Sequence, residues 1–387
     1  MTTHHPTFVP RRVAVVGGSL GGLFAAALLR QDGHDVTVFE RSAHGLARRG
    51  AGLVAQQDLY DVLQRLGLDR AADVGVTARE RITLDRAGRV VHRDPTPQTQ
   101  VSWDHLWVTL RAQLDDDTYL LDHRVVEVRA DDAHAEVVCA DGRVRSFDLV
   151  VGADGANSVV RRFVAPDRSA NRYAGYSTWR GLVPEASLVG SAAEALLERF
   201  AFFTGDRSHV LGYLVPGPDG ETEVGARRYN WVWYRPITPP QLARLARESG
   251  RQVDDPARAV SLAPGDLPTV LRSELRADAD QELPPPFADA VRREPEPFLQ
   301  AIVDYVAPAM TAHRAVLLGD AAAVVRPHTA MGAAKAAGDA LALLDALRRW
   351  PLDAALAAYD RDRLEVARAV AQYGVRLGRS MPFARQA

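Results

Sequence analysis

Val13-Ala14-Val15-Val16-Gly17-Gly18-Ser19-Leu20-Gly21-Gly22-Leu23, followed by Val36-Thr37-Val38-Phe39-Glu40, decides the fold. A β-branched run closes on a glycine-rich turn, an apolar helical segment follows, and a second β-branched run ends in an acid. That order predicts a βαβ unit with a parallel strand pair. In such a unit Gly17 makes the tight turn, the third position of the motif lets backbone approach a pyrophosphate, and Gly22 lets the helix pack closely on the strand. Ser19 stands where the strict G-x-G-x-x-G pattern has its second glycine. Its hydroxyl still offers a donor to phosphate, and the helix start at Leu20 presents backbone N–H groups to an anion. Glu40, 18 residues beyond Gly22, is placed to accept hydrogen bonds from ribose hydroxyls. A glycine-rich turn followed by a surface acid is the alternative when the stretch is read alone.

Around this unit, 387 residues suit two or three domains, or one large domain with an inserted lobe. Hydrophobic residues at 47% and charged residues at 25% exclude disorder as the main state. A formal net charge of -2 provides no field that recruits nucleic acid or anionic membrane. Cys139, the single cysteine, cannot form an internal disulfide and reads as a small buried hydrophobe at a strand end. Apolar runs such as Leu23 to Leu29 fall short of the roughly 18 residues of a membrane span, and the start of the chain lacks a signal-like apolar region. A cytoplasmic protein without a metal site follows as the expectation. Lys335 is the only lysine, so any chemistry that needs one must use it.

Further along, Gln57 to Leu66 reads as a helix, Arg81 to His92 as a hairpin, and Asp104 to Leu114 as an amphipathic helix with Asp104 as its N-cap. Residues 118 to 151 read as strands, and Tyr173 to Pro236 as an aromatic-rich sheet lobe holding Trp179, Trp231 and Trp233. Residues 240 to 300 carry Pro-rich turns and helical pieces. The strand Arg314 to Leu318 then returns the chain to the first domain, ahead of an Ala-rich helix and an amphipathic helix over 352–378. The expected division is a discontinuous nucleotide-binding domain over 8–78, 101–169 and 300–350, a lobe over 79–100 and 170–299, and a helical segment over 351–387.

Two more motifs follow buried-looking strands: Gly152-Ala-Asp154-Gly155-Ala-Asn-Ser158-Val-Val-Arg161, and Gly319-Asp320-Ala-Ala with Arg326-Pro327-His328 and Ala330-Met331-Gly332. Each sets an aspartate on a turn at a strand end, where ligands bind in α/β sheets, although either alone could be a helix cap. In this order and spacing the three motifs resemble the flavin-dependent aromatic hydroxylases of the para-hydroxybenzoate hydroxylase type. Ala174-Gly-Tyr-Ser-Thr-Trp179-Arg-Gly181 and Arg326-Pro327-His328 further resemble the 2,6-dihydroxypyridine 3-hydroxylase branch, which also tolerates a serine at the Ser19 position.

The resemblance implies an α/β Rossmann-like FAD-binding domain, α+β overall, with an inserted and mostly antiparallel β-sheet substrate lobe and a C-terminal helix. It implies FAD as cofactor, NADH or NADPH as co-substrate, and O2 transferred through a flavin C4a-hydroperoxide to a phenol or hydroxypyridine. Gly17, Ser19, Leu20 and Gly22 would hold the pyrophosphate, Glu40 the adenosine ribose and Arg41 the adenine; Arg111 would approach the pyrophosphate. Asp154 would serve FAD and the nicotinamide donor, Asp320 the ribityl chain, and Pro327, Met331 and Gly332 the flavin ring. Where the family has Gly-Gln-Gly and an asparagine, this chain has Ala-Met-Gly, then Ala333, Ala334 and Lys335. Lys335 as the replacement polar group and Lys335 as a helix-surface residue both stay open.

Ionising the substrate calls for a base that works near neutral pH. His328 is the first candidate, with His209 and Tyr213 on a lobe strand beside it; Trp179, Phe202 and Trp231 are pocket candidates whose plainer role is core packing. Trp231-Val-Trp233-Tyr-Arg-Pro236 is similar to the W-x-W-x-I-P stretch of flavin-dependent halogenases. Those enzymes need an early lysine, none precedes Lys335, and halogenation is set aside. An oxidase or reductase without oxygen transfer, and a non-catalytic flavin-binding regulator, are the remaining alternatives. The last helix suits a homodimer contact as well as an internal one.

Overall fold

The computed structural model describes residues 9–46, 52–250 and 260–381. The predicted βαβ unit is strand Arg12–Val16, helix Leu20–Gln31 and strand Asp35–Phe39, paired in parallel. It sits inside a six-stranded sheet in the order Thr311–Ala312, Ala315–Leu317, Leu149–Gly152, Arg12–Val16, Asp35–Phe39, Tyr119–Leu120. Val13, Val15, Val150 and Val316 are completely buried, as strands covered on both faces require. Helix Gly332–Arg349 packs on Leu20–Gln31, and the long helix Leu352–Ser380 packs on Gly332–Arg349. Cys139 ends strand Ala135–Cys139 and is buried.

A second, larger sheet runs Ser261–Leu262, Phe298–Val306, Arg172–Pro184, Arg228–Pro236, His209–Val215, Arg199–Thr204, Glu80–Leu84, Val90–Asp94. Its pairs are antiparallel except Arg199–Thr204 with Glu80–Leu84. Period-two alternation divides it into two faces. Trp179, Trp231 and Trp233 point into one apolar cluster with Leu271, Leu275, Phe287 and Val291, which come from helices Thr269–Glu282 and Pro285–Arg293. The opposite face, with Thr178, Arg180, Val232, Tyr234, Leu211 and Tyr213, lines a cleft against the first sheet. The tryptophans that resemble a halogenase stretch therefore belong to the core and turn away from the cleft.

Two local expectations change. The helix expected from Asp104 is Trp103–Arg111, and its N-cap is Ser102, whose hydroxyl accepts from His105 N–H. Asp104 instead is buried in the first turn and pairs with Arg228 at 3.0 Å. Beyond Asp320 the chain makes one turn, Gly319–Ala322, then strand Ala323–Val324, before the Ala-rich helix begins at Gly332. Among the described residues no helix is long and apolar enough to cross a membrane.

Candidate active site

The cleft between the two sheets encloses about 620 Å³. Its floor begins at the first turn. Gly17 has φ +105°, and a Cβ there would lie 2.4 Å from the Ala153 carbonyl, because two parallel strands deliver their turns to one place. A Cβ on Gly22 would lie 1.9 Å from the Gly17 carbonyl, so only glycine lets the helix start on top of the turn. Ser19 is the N-cap of Leu20–Gln31, is extended, and makes no side-chain capping bond. Ser19, Leu20, Gly21 and Arg41 line the cleft. Glu40 is buried; its carboxylate accepts from Gly18 N–H at 2.9 Å and Ser42 N–H at 2.8 Å. The structure keeps Arg111 outside the cleft lining. Its guanidinium donates to the Leu114 carbonyl and Asp116 and lies 4.5 Å from the centre of the Tyr119 ring.

The second and third motifs form the adjoining wall. Asp154 accepts from Ser158 Oγ and from Val159 N–H at 2.6 Å, capping helix Val159–Val164, and burial raises its pKa. Asp320 opens into the cleft. Arg161, 1% exposed, binds the two turns together: it donates to the carbonyls of Asp320 at 2.6 Å, Ala321 at 2.8 Å and Ala156 at 2.8 Å. Its guanidinium lies 3.7 Å from the centre of the Tyr305 ring. Lys335 is neither on the helix surface nor a cleft group. It is 3% exposed and donates to the Gly319 carbonyl and to Asp339, both at 2.8 Å. Ala330 adopts a left-handed conformation and Met331 caps helix Gly332–Arg349 without a side-chain bond. Pro327, Ala330, Gly332 and Ala333 line the cleft; Met331 does not.

These residues fit a dinucleotide flavin. Helices of 12 and 18 residues both begin at the cleft without side-chain caps, which leaves backbone N–H groups for a pyrophosphate at one and an electron-rich ring edge at the other. Asp320 lines the same cleft, and its carboxylate takes a backbone hydrogen bond from Val325.

The aromatic end is built on the sheet face. His328 Nε2 lies 3.0 Å from the Gly374 carbonyl, which can only accept, so Nε2 carries the hydrogen and Nδ1 keeps a lone pair. That Nδ1 is buried without a partner among the described residues, and burial lowers the His328 pKa. Tyr176 stacks on His328 at 6.4 Å, and Tyr234 meets its edge at 5.8 Å. His209 lies one ring further, 5.9 Å from Tyr234, outside the cleft lining; its Nδ1 is 2.8 Å from Thr204 Oγ1, and burial brings its pKa down to about 4. Tyr213 lines the cleft against Phe200 and is four positions from His209 on one strand, so the two occupy different parts of the face. Phe202 stacks on Phe200 at 4.6 Å.

Sequence reading assigned no role to three residues here. Arg161 and Arg180 each sit in a quoted stretch, and Gln100 carries no pattern at all. Tertiary placement alone reveals them.

Residues 11–221 and 268–373 match the FAD binding domain family, and residues 173–304 match an FAD binding domain-like family. The chain is 31% identical to 2,6-dihydroxypyridine 3-monooxygenase of Paenarthrobacter nicotinovorans, over 86% of this chain and 82% of that one. It is 40% identical to 3-amino-4-hydroxybenzoate 2-monooxygenase of Streptomyces cremeus, over 53% of this chain and 54% of that one. The solved 2,6-dihydroxypyridine-3-hydroxylase from Arthrobacter nicotinovorans superposes with a TM-score of 0.87 at 27% identity, covering 97% and 93% of the two chains.

Proposed function

The chain belongs to the FAD binding domain family and is an FAD-dependent aromatic monooxygenase, and from that premise we propose that it hydroxylates a phenol or hydroxypyridine ring whose hydroxyl is ionised by His328. The observation that carries this reading is the orphaned Nδ1 lone pair of His328, buried in an aromatic cleft beside two uncapped helix starts.

FAD held in this cleft would supply the redox chemistry, passing electrons from a reduced nicotinamide to O2 so that one oxygen atom can be transferred to the ring. The balance is one aromatic C–H, O2, NAD(P)H and a proton giving the new C–OH, water and NAD(P)+. Every other task falls to the chain. The starts of the helices at Leu20 and Gly332 hold the cofactor's anionic and electron-rich groups, Asp320 and Glu40 hold its hydroxyls, and Arg161 keeps both turns in place. Thr178, Val232, Tyr234 and Tyr213 form the pocket wall and exclude water from the reacting atoms. His328 takes the ring hydroxyl's proton at Nδ1, while its Nε2–H stays on the Gly374 carbonyl and fixes the ring. An ionised oxygen raises the electron density at its ortho and para carbons, where oxygen is received. Tyr213 shapes the pocket, while His209 lies behind Tyr234 and outside its lining.

The test is anaerobic reduction of the bound flavin by NADH and NADPH, with and without phenols and hydroxypyridines. Reduction accelerated by one aromatic supports the reading. Fast reduction indifferent to every aromatic favours an oxidase or reductase and contradicts it.

A further inference from the structure

We propose that Arg326 is a positioning residue for His328, fixed by Asp304 and Tyr176 and seated against Gly378 of the last helix, and that its charge makes the imidazole release the proton it takes in each turnover. The inference rests on the reading of His328 as the base that ionises the substrate.

Arg326 and His328 flank Pro327 at the start of the short turn Pro327–Thr329, on which helix Leu352–Ser380 packs. The Arg326 side chain is 8% exposed, and its Nε and Nη2 donate to the two Asp304 oxygens, both at 2.7 Å. Its third nitrogen, Nη1, donates to Tyr176 Oη at 3.1 Å. The buried Tyr176 ring is the one stacked on His328, with 26° between the planes. Asp304, Arg326, Tyr176 and His328 thus form one line of contacts from strand Phe298–Val306 to the imidazole. A guanidinium fork held on two acceptors has little freedom left, so the tyrosine ring and the imidazole it covers are held with it.

The last helix supplies the other side. The Gly374 carbonyl accepts from His328 Nε2. One turn further on, a Cβ at Gly378 would lie 2.1 Å from Arg326 Nη1 and 3.0 Å from Tyr176 Oη, so a larger residue there would push the guanidinium off the tyrosine. Among the described residues this helix lines no part of the cleft, yet it seats both the base and its neighbour.

A base that has taken a proton must lose it before the next substrate binds. Burial lowers the His328 pKa most; the Gly374 carbonyl works against this, the Arg326 charge lowers it further, and Asp304 opposes Arg326 by less. The neighbouring strands present Tyr176 and Tyr234, which burial keeps neutral, and beyond them His209, which burial keeps uncharged at neutral pH. Arg326 and Asp304 are therefore the charges that His328 senses, and they act in opposite directions.

The test is the NMR titration midpoint of His328 in the FAD-loaded enzyme with labelled histidines, its signal identified by loss in His328→Gln. Arg326→Gln raises the midpoint by at least about 0.5 in pH, and Asp304→Asn lowers it. An ion pair that only held the fold together would give the same change when broken from either side. Arg326→Lys keeps the charge without the fork, so the midpoint stays near the wild-type value. In turnover with whichever phenol or hydroxypyridine most accelerates flavin reduction, the same variant loses at least about threefold in product per nicotinamide oxidised. Flavin content identifies any variant that fails to assemble; if Asp304→Asn is one, the contrast between Arg326→Gln and Arg326→Lys decides. A midpoint that does not rise in Arg326→Gln, or that moves alike in Arg326→Gln and in Asp304→Asn or Arg326→Lys, overturns the inference and leaves the His328 reading intact. Wild-type turnover and pH dependence in His328→Gln overturns both.

Discussion

The Lys335 ammonium lies 2.8 Å from the Asp339 carboxylate, one helical turn along, and both side chains are almost completely buried beneath the Gly319–Asp320 turn. Asp339 also accepts from Gly319 N–H at 2.9 Å and from Arg363 of the last helix at 2.8 Å. The chain's sole lysine thus holds the backbone of a cofactor turn. Lys335→Met leaves Asp339 half-compensated in the interior and costs about 3 kcal/mol, at the lower end for a broken buried pair because Arg363 remains. Urea unfolding of the wild-type and variant proteins without added FAD checks this. A loss below about 1 kcal/mol would count against the network.

Asp320 faces the cleft and is the carboxylate assigned to the cofactor's hydroxyls. A hydrogen bond to a charged group contributes about 1.5–3 kcal/mol, so Asp320→Ala weakens FAD binding by at least about tenfold. Flavin-to-protein absorbance ratios and fluorescence titration of the apoprotein measure it. Unchanged retention would remove Asp320 from the site.

His328 acts as a base only when neutral, and burial lowers its pKa below the ordinary value of 6.5. The acid limb of kcat/KM should therefore fall below pH 6.5, with full activity above it. His328→Gln keeps FAD bound, loses that limb, and lowers product formation by about 10²-fold, with peroxide rising per nicotinamide oxidised. A variant with the wild-type pH profile and coupling would show that the proton leaves by another route.

His209 carries a stability consequence with a defined sign. Its pKa falls from 6.5 in the unfolded chain to about 4 in the folded one, so below pH 6.5 the unfolded state binds the extra proton. Stability is full above pH 6.5 and declines as the pH falls toward 4, by at most about 3 kcal/mol from this group, less in proportion to its solvent access. His209→Asn flattens that part of the stability profile. An equally steep decline in the variant would assign the acid sensitivity to other groups.

What the sequence discloses and what it hides divides along a physical line. Gly17 and Gly22 are legible because a turn between two strands and a helix leaves no room for a Cβ, a requirement local in the chain. The Lys335–Asp339 spacing is equally local, yet its burial is not, because the helix that covers it begins at Leu352. Arg161 clamps carbonyls 159 and 160 residues away, and no local pattern predicts that. Asp104 does not cap its helix for a related reason: Ser102 takes the cap, and Asp104 is recruited by Arg228, 124 residues distant. Arg180 Nε and the Gln100 amide stand out only because, among the described residues, they are buried without partners, which is a property of the assembled cleft.

Oxygen transfer itself is the central claim. The FAD-loaded enzyme should be turned over under ¹⁸O2 with NADH or NADPH and a panel of hydroxybenzoates and hydroxypyridines, with the products read by mass spectrometry. One aromatic product should carry a single ¹⁸O in its new hydroxyl, with the second labelled atom in water. Nicotinamide oxidation that sends all the label to hydrogen peroxide with every aromatic, or a product hydroxyl without label, would contradict it.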